Sequence, residues 1–139
     1  MSAVVTGLAT FVAMEGVTYA THRWVMHGFG MRWHRSHHRQ RQGTFERNDL
    51  FPVCFASVGI ALFALGVWPV AIGMTAYGAA YMAVHDIAIH RRLPLQAPRV
   101  RYLRWLEDAH RDHHRTSGEP YGMLLPLVRS SARSARARL

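Results

Sequence analysis

Hydrophobic positions in this chain come in blocks and show no strand-like alternation. Residues 3–21 are almost all apolar or small, with Glu15 the only charge. A second run of 18 uncharged residues covers 50–67, and a third covers 69–84, with Asp86 the next charge. A bilayer core about 30 Å thick takes about 20 helical residues at 1.5 Å each. Each block therefore predicts a membrane span once its flanks add a turn. Gly66 and the Trp68-Pro69 pair predict a tight hairpin between the second and third. Residues 22–49 are polar and carry Gly28, Gly30 and Gly43, so short, broken helices are expected there. From about 100 to 115, Leu103, Leu106, His110 and His113 recur at i, i+3, i+7 and i+10, one face of an amphipathic helix. Residues 121–128 are apolar but short and hold Pro126, which predicts an interfacial or re-entrant segment and no fourth span. The expectation is an all-α integral membrane bundle of about three spans, one domain over 1–128, and a disordered Ser/Ala/Arg tail over 129–139.

Averaged composition points elsewhere. The 139 residues carry net charge +9, and mean hydropathy is −0.04. Such numbers suit a soluble basic nucleic-acid binder. The distribution excludes that class. All 17 basic residues are Arg; none precedes Arg23 and none lies between Arg47 and Arg91. The positive-inside rule then puts the N-terminus and the hairpin tip outside and both Arg-rich segments in the cytoplasm. Nothing basic precedes the first block, so it reads as a retained helix and not a cleaved leader. Trp24, Trp33 and Trp105 flank the cytoplasmic side and Trp68 the other, as interfacial aromatics do. The tail is either solvated or in contact with anionic lipid heads. Cys54 is the one cysteine, which excludes an internal disulfide and a Cys-based zinc site.

The ten histidines change the picture most. They form four clusters with none left over: His22 and His27 (H-x4-H), His34, His37 and His38 (H-x2-H-H), His85 and His90 (H-x4-H), and His110, His113 and His114 (H-x2-H-H). On a helix, positions i, i+3 and i+4 face one way, so each triplet can address one point. Positions i and i+5 lie about 140° apart on a straight α-helix, so each H-x4-H pair demands a helix end or a local irregularity. All four clusters fall at the cytoplasmic membrane boundary. Ten imidazoles exceed what one metal can use, and two metals with four or five histidines each is the economical reading. Imidazole alone does not choose among zinc, iron, copper and nickel. The H-E-x-x-H pattern of zinc hydrolysis is absent, and the membrane-face position suits iron-based oxygen chemistry on an apolar hydrocarbon.

Other side chains are candidates around the metals. Glu15 precedes His22 by seven residues, about 10 Å along the same helix face. It either orients a ligand or holds a neutral packing role. Asp49, Asp86 and Asp112 either accept from ligand N–H groups or pair with arginines. Tyr77, Tyr81 and His85 share a face of the third span and either line an apolar channel or pack between helices.

The four histidine motifs in this order resemble the bacterial β-carotene hydroxylases of the membrane fatty acid hydroxylase superfamily. The likeness runs over about 13–117. It includes Ala13-Met14-Glu15-Gly16, Met26-His27-Gly28, Phe45-Glu46-x-Asn48-Asp49-Leu50, Gly73-Met74-Thr75-Ala76-Tyr77-Gly78 and Val84-His85-Asp86. It departs after His114, where Gly118-Glu119-Pro120-Tyr121-Gly122-Met123 replaces a Ser-Phe-Gly-Phe-type run. The resemblance implies a non-haem di-iron monooxygenase in the inner membrane with all ten histidines as ligands, zinc being an alternative occupant of a recombinant preparation. It implies O2 and reduced ferredoxin, with a ferredoxin reductase, as co-reactants, and hydroxylation at C3 of β-ionone rings to cryptoxanthin and zeaxanthin. Competing readings are a fatty acid or sterol hydroxylase, a carotenoid ketolase or desaturase, and a membrane metal transporter or store. The last would need ionisable residues along a path through the bilayer, and the second and third blocks have none.

Overall fold

Ser2 starts the first helix by accepting the Val5 N–H on its hydroxyl at 3.3 Å. That helix, α1 (Ala3–Ala20), does not stop at the end of its apolar block but runs on as a π-helical segment, Thr21–Phe29. A short α2 (Met31–His34) follows, then a 3-10 turn at Arg47–Asp49 that leads into α3 (Leu50–Ala64). Helix α4 (Trp68–Tyr81) runs on as a second π-helical segment, Met82–Ile89, and α5 (Arg101–Thr116) completes the set. The computed structural model describes residues 2–39 and 45–126, and no strand occurs among them. The expected tail at 129–139 lies outside the described residues, as do the last two residues of the segment expected at 121–128.

The α3–α4 hairpin turns at Gly66, whose φ of +75° is costly for any residue with a Cβ. Pro69 then sits in the first turn of α4, where its missing N–H costs nothing. Helices α1 and α4 make the closest approach of the bundle. A Cβ on Gly73 would overlap the Gly7 carbonyl oxygen and come within 2.8 Å of the Thr10 Cβ. Small residues at a crossing let two backbones meet, which is how helices associate where lipid removes the hydrophobic driving force. Phe11 packs edge-on against Tyr77 one layer further in, at 5.7 Å between ring centroids.

The apolar helices point much of their surface outward. Val12 of α1 is 71% exposed and Ile60 of α3 is 70% exposed. Two helical stretches, Ala3–Phe29 and Arg47–Ala64, are long and apolar enough to cross a membrane. The third expected span, 69–84, is helical along its length, within α4 and the π-helical segment that continues it, but is not among these two stretches. Burial concentrates at the polar end instead. Helix α5 turns Leu106, Ala109, His110 and His113 inward and leaves Arg101, Arg104, Arg111 and Arg115 outside. The protein therefore keeps its most buried layer in a cap made largely of histidines.

The α1–α4 crossing yields a direct test. Gly73→Val overpacks the contact and should cost about 1–3 kcal/mol, seen as a lower thermal midpoint in detergent. Gly78→Ala, whose added Cβ meets nothing within 4 Å, should leave that midpoint unchanged or raise it.

Candidate metal centre

Each H-x4-H pair is resolved by a change of helix type. In a π-helix, bonding runs from residue i to i+5, so the side chain at i+5 stacks over that at i. Both expected irregularities take this form. Gly30 N–H donates to Val25 O at 2.8 Å, and His90 N–H donates to His85 O at 2.9 Å. The rings of His22 and His27 come within 5.1 Å and those of His85 and His90 within 4.5 Å, centroid to centroid. Gly28 leaves helical geometry altogether (φ −98°, ψ −124°), which lets the chain turn from the first segment into α2.

The ten imidazoles sort into two groups. One holds His22, His27, His34, His38 and His113, with ligand atoms all within 4.8 Å of one another. The other holds His37, His85, His90 and His110 on the same criterion. His114 joins the second group, its Nε2 lying 3.1 Å from His37 Nε2 and 2.9 Å from His110 Nε2. Close Nε2 contacts knit the first group through His22–His34 (3.2 Å), His34–His38 (3.0 Å) and His27–His113 (3.1 Å). Those of the second run through His37–His85 (3.1 Å) and His90–His110 (2.9 Å). The sorting crosses the motifs. Each group takes one H-x4-H pair and the first and last histidines of the H-x2-H-H that follows it. The middle histidine of each triplet goes to the opposite group: His37 to the second, His113 to the first. His38 and His114 stack at 4.5 Å where the groups meet.

The other ring nitrogen decides what these contacts mean. His22 Nδ1 faces the Tyr121 carbonyl at 3.0 Å and His113 Nδ1 the Gly118 carbonyl at 2.6 Å. A carbonyl oxygen only accepts, so Nδ1 carries the proton and Nε2 presents a lone pair. His85 Nδ1 meets Asp86 at 2.9 Å, His37 Nδ1 meets Glu46 at 3.4 Å, and His34 Nδ1 meets the Asn48 side-chain oxygen at 2.8 Å. Burial keeps the rings neutral. It draws His34 and His113 down to about 4, with the neighbouring rings adding to it, and holds His37 and His110 well below the ordinary histidine value. Lone pairs set about 3 Å apart repel unless a cation lies among them. The donor set therefore fits metal binding: five nitrogens per group, with His22, His34, His37, His85 and His113 oriented from behind as metal-bound histidines usually are.

The remaining candidates fall in different places. Asp86 accepts from His85 and from Arg92 (3.2 Å). Asp49 is held by Arg92 at 2.6 Å and accepts the Glu46 N–H at 2.9 Å. Asp112 pairs with Arg115 at 3.4 Å on the outer face of α5. Glu15 accepts from Tyr77 and from the backbone at 123–125. Tyr77 is buried and committed to Glu15, whereas Tyr81 stacks on His85 at 4.8 Å. Sequence reasoning did not single out Glu46, Asn48 or Arg92. The Glu46-x-Asn48-Asp49 spacing, a capping box around a 3-10 turn, was the available signal. The two groups also differ in access. The Tyr121 ring covers His22, His27 and His113 at 5.2–5.5 Å. A cavity of about 210 Å³ lined by Ile89, His90, Glu107, His110, Arg111 and His114 opens on the second group.

A family model described as "Fatty acid hydroxylase" matches residues 7–129. This chain belongs to the fatty acid hydroxylase family. Within the fatty acid hydroxylases it is similar to a β-carotene hydroxylase of Pseudescherichia vulneris, 51% identical over 80% of this chain and 67% of that protein. It is similar to a β-carotene hydroxylase of Paracoccus sp. (strain N81106 / MBIC 01143), 41% identical over 82% of this chain and 75% of that protein. It is also similar to the chloroplastic β-carotene 3-hydroxylase 1 of Arabidopsis thaliana, 36% identical over 82% of this chain and 41% of that protein. No solved structure matches this member of the fatty acid hydroxylase family.

The depressed histidines make the metal-free chain pH-sensitive in a defined direction. An unfolded histidine titrates near 6.5, whereas folded His34 and His113 titrate at about 4. Between these values the unfolded chain binds more protons, so stability falls as pH drops through that window. The thermal midpoint of metal-free protein in detergent should be lower at pH 5 than at pH 7.5. A midpoint that stays flat between them would contradict the buried, neutral imidazoles.

Proposed function

We propose that this chain is a membrane-bound β-carotene 3-hydroxylase. It would insert an oxygen atom from O2 at C3 of a β-ionone ring, giving cryptoxanthin and then zeaxanthin. The reading rests on one conjunction: two all-imidazole groups at the polar end of membrane-length helices, in a chain 51% identical to a β-carotene hydroxylase. Two iron ions are the proposed occupants, one per group. Reduced ferredoxin, served by its reductase, is the proposed electron source. Bound iron would supply O2 activation and abstraction of a ring hydrogen. The protein supplies the rest. Burial and the Tyr121 ring shield the first group from water, and carboxylates behind His85 and His37 raise the basicity of those ligands in the second.

The arginine distribution supports insertion in the inner membrane of a bacterium with the metal centre toward the cytoplasm. An apolar groove of about 420 Å³ follows the π-helical segment that carries His85, lined by Ala83, Val84, Ile87, Leu95 and Leu103 among others. Its volume lies in the range of small-molecule sites, and it is the proposed berth for a ring arriving from the lipid. The exposed Arg101, Arg104 and Arg111 of α5 mark the opposite, aqueous approach for the electron carrier.

Expression in a β-carotene-accumulating bacterium with pigment extraction tests this function. Hydroxylated carotenoids are expected from the wild type. His37→Ala and His113→Ala should each abolish them, because each residue is the ligand its group borrows. Unchanged β-carotene with the protein present in membranes would overturn the carotenoid reading. Hydroxylated acyl chains in the same extract would point to a lipid substrate instead.

A further inference from the structure

Residues 118–126 run as an irregular segment beside the first imidazole group, tied down at two places. Near its start, Glu119 receives Arg23 at 3.2 Å, and the same guanidinium donates to Tyr19 at 2.6 Å. Near its end, the Glu15 carboxylate gathers three consecutive backbone donors. Oε1 accepts Met123 N–H (2.8 Å), Leu124 N–H (3.1 Å) and Leu125 N–H (2.9 Å), while Oε2 accepts Leu124 N–H (3.1 Å) and the Tyr77 hydroxyl (2.6 Å). Between the ties the segment serves the metal centre. Its Gly118 and Tyr121 carbonyls fix the Nδ1 atoms of His113 and His22, and the Tyr121 ring lies over His22, His27 and His113. All three histidines belong to the first group. In the second group, Glu46 stands behind His37 Nδ1 and Asp86 behind His85 Nδ1, both outside this segment.

We propose that Glu15 is a positioning residue for the first imidazole group alone: it holds segment 118–126 in place, and that segment orients His22 and His113. This rests on the reading that the two groups bind two metals. A carboxylate in α1 thus acts on the metal through a loop a hundred residues away in the chain, not through an imidazole. Gly122 fits the same arrangement, because a Cβ there would meet Leu125 O at 2.5 Å and Glu15 Oε1 at 2.9 Å.

The test titrates metal-free full-length protein in detergent with cobalt(II), following its visible absorption bands. The two equivalents are assigned with His27→Ala for the first group and His90→Ala for the second. Wild type should take two equivalents. Glu15→Leu should weaken the first-group equivalent by about tenfold or more, the usual effect of removing a partner behind a metal ligand, and leave the second unchanged. Glu15→Gln should behave like wild type, because its Oε1 can keep the three backbone bonds while its amide donates to the Tyr77 oxygen. Gly122→Ala displaces the segment without altering any spanning helix and should reproduce the selective loss. Equal weakening of both equivalents in Glu15→Leu and Gly122→Ala, or no weakening of either, would overturn the proposal. A single equivalent in wild type would instead overturn the two-metal reading on which it stands.

Discussion

Two imidazoles whose Nδ1 protons are both committed behind them, as in His22–His34 and His37–His85, cannot hold their Nε2 atoms about 3 Å apart without something positive among them. Several of the ten rings are fixed from behind by acceptors that take the Nδ1 proton, so their inward nitrogens are bare acceptors. A buried acceptor left without a partner costs about 1–3 kcal/mol, and here many share one small volume. The cap is thus the inverse of an ordinary hydrophobic core. Its rings are packed together but their inward lone pairs lack partners, and metal binding free energy would close that deficit. The apolar helices serve as the frame that brings the layer together at one end.

That frame explains the local irregularities. A regular α-helix would splay each H-x4-H pair by about 140°, and both pairs are drawn together by a π-helical segment that continues a membrane-length or near membrane-length helix. π-helical stretches are rare and concentrate at functional sites. The Gly7–Gly73 contact holds α1 against α4, and the extension of each helix carries one H-x4-H pair into the cap. Arg92 then ties the 3-10 turn at Asp49 to Asp86, beside the ligand His85.

Much of this was legible in the chain. The uncharged blocks marked the helices, and the histidine spacing marked both the clusters and the need for irregularity between i and i+5. What stayed hidden has physical causes. His37 and His38 are adjacent on the helical arc, and which group each addresses depends on how the turn after α2 packs against α5, not on spacing. The acceptors for His22 and His113 are backbone carbonyls of Tyr121 and Gly118, which no side-chain pattern announces. Asp112 has the same residue type and neighbours as a ligand-orienting acid, yet its helical position turns it outward to Arg115. The stretch after His114 reads in the sequence only as a departure from the family's pattern. It is also the segment that supports the first group.

The exchange of His37 and His113 has a meaning in assembly terms. One half of the chain, α1 with α2, and the other, α4 with α5, carry the same motif order, and each lends the other one ligand. This is the logic of a swapped, self-complementary dimer written into a single polypeptide, with α3 as the added link. Each half carries five histidines but directs only four of them to its own group and aims the fifth at the other. Splitting the chain between them would therefore leave each fragment with four nitrogens aimed at one point, and the five-nitrogen arrangement of either group needs both fragments.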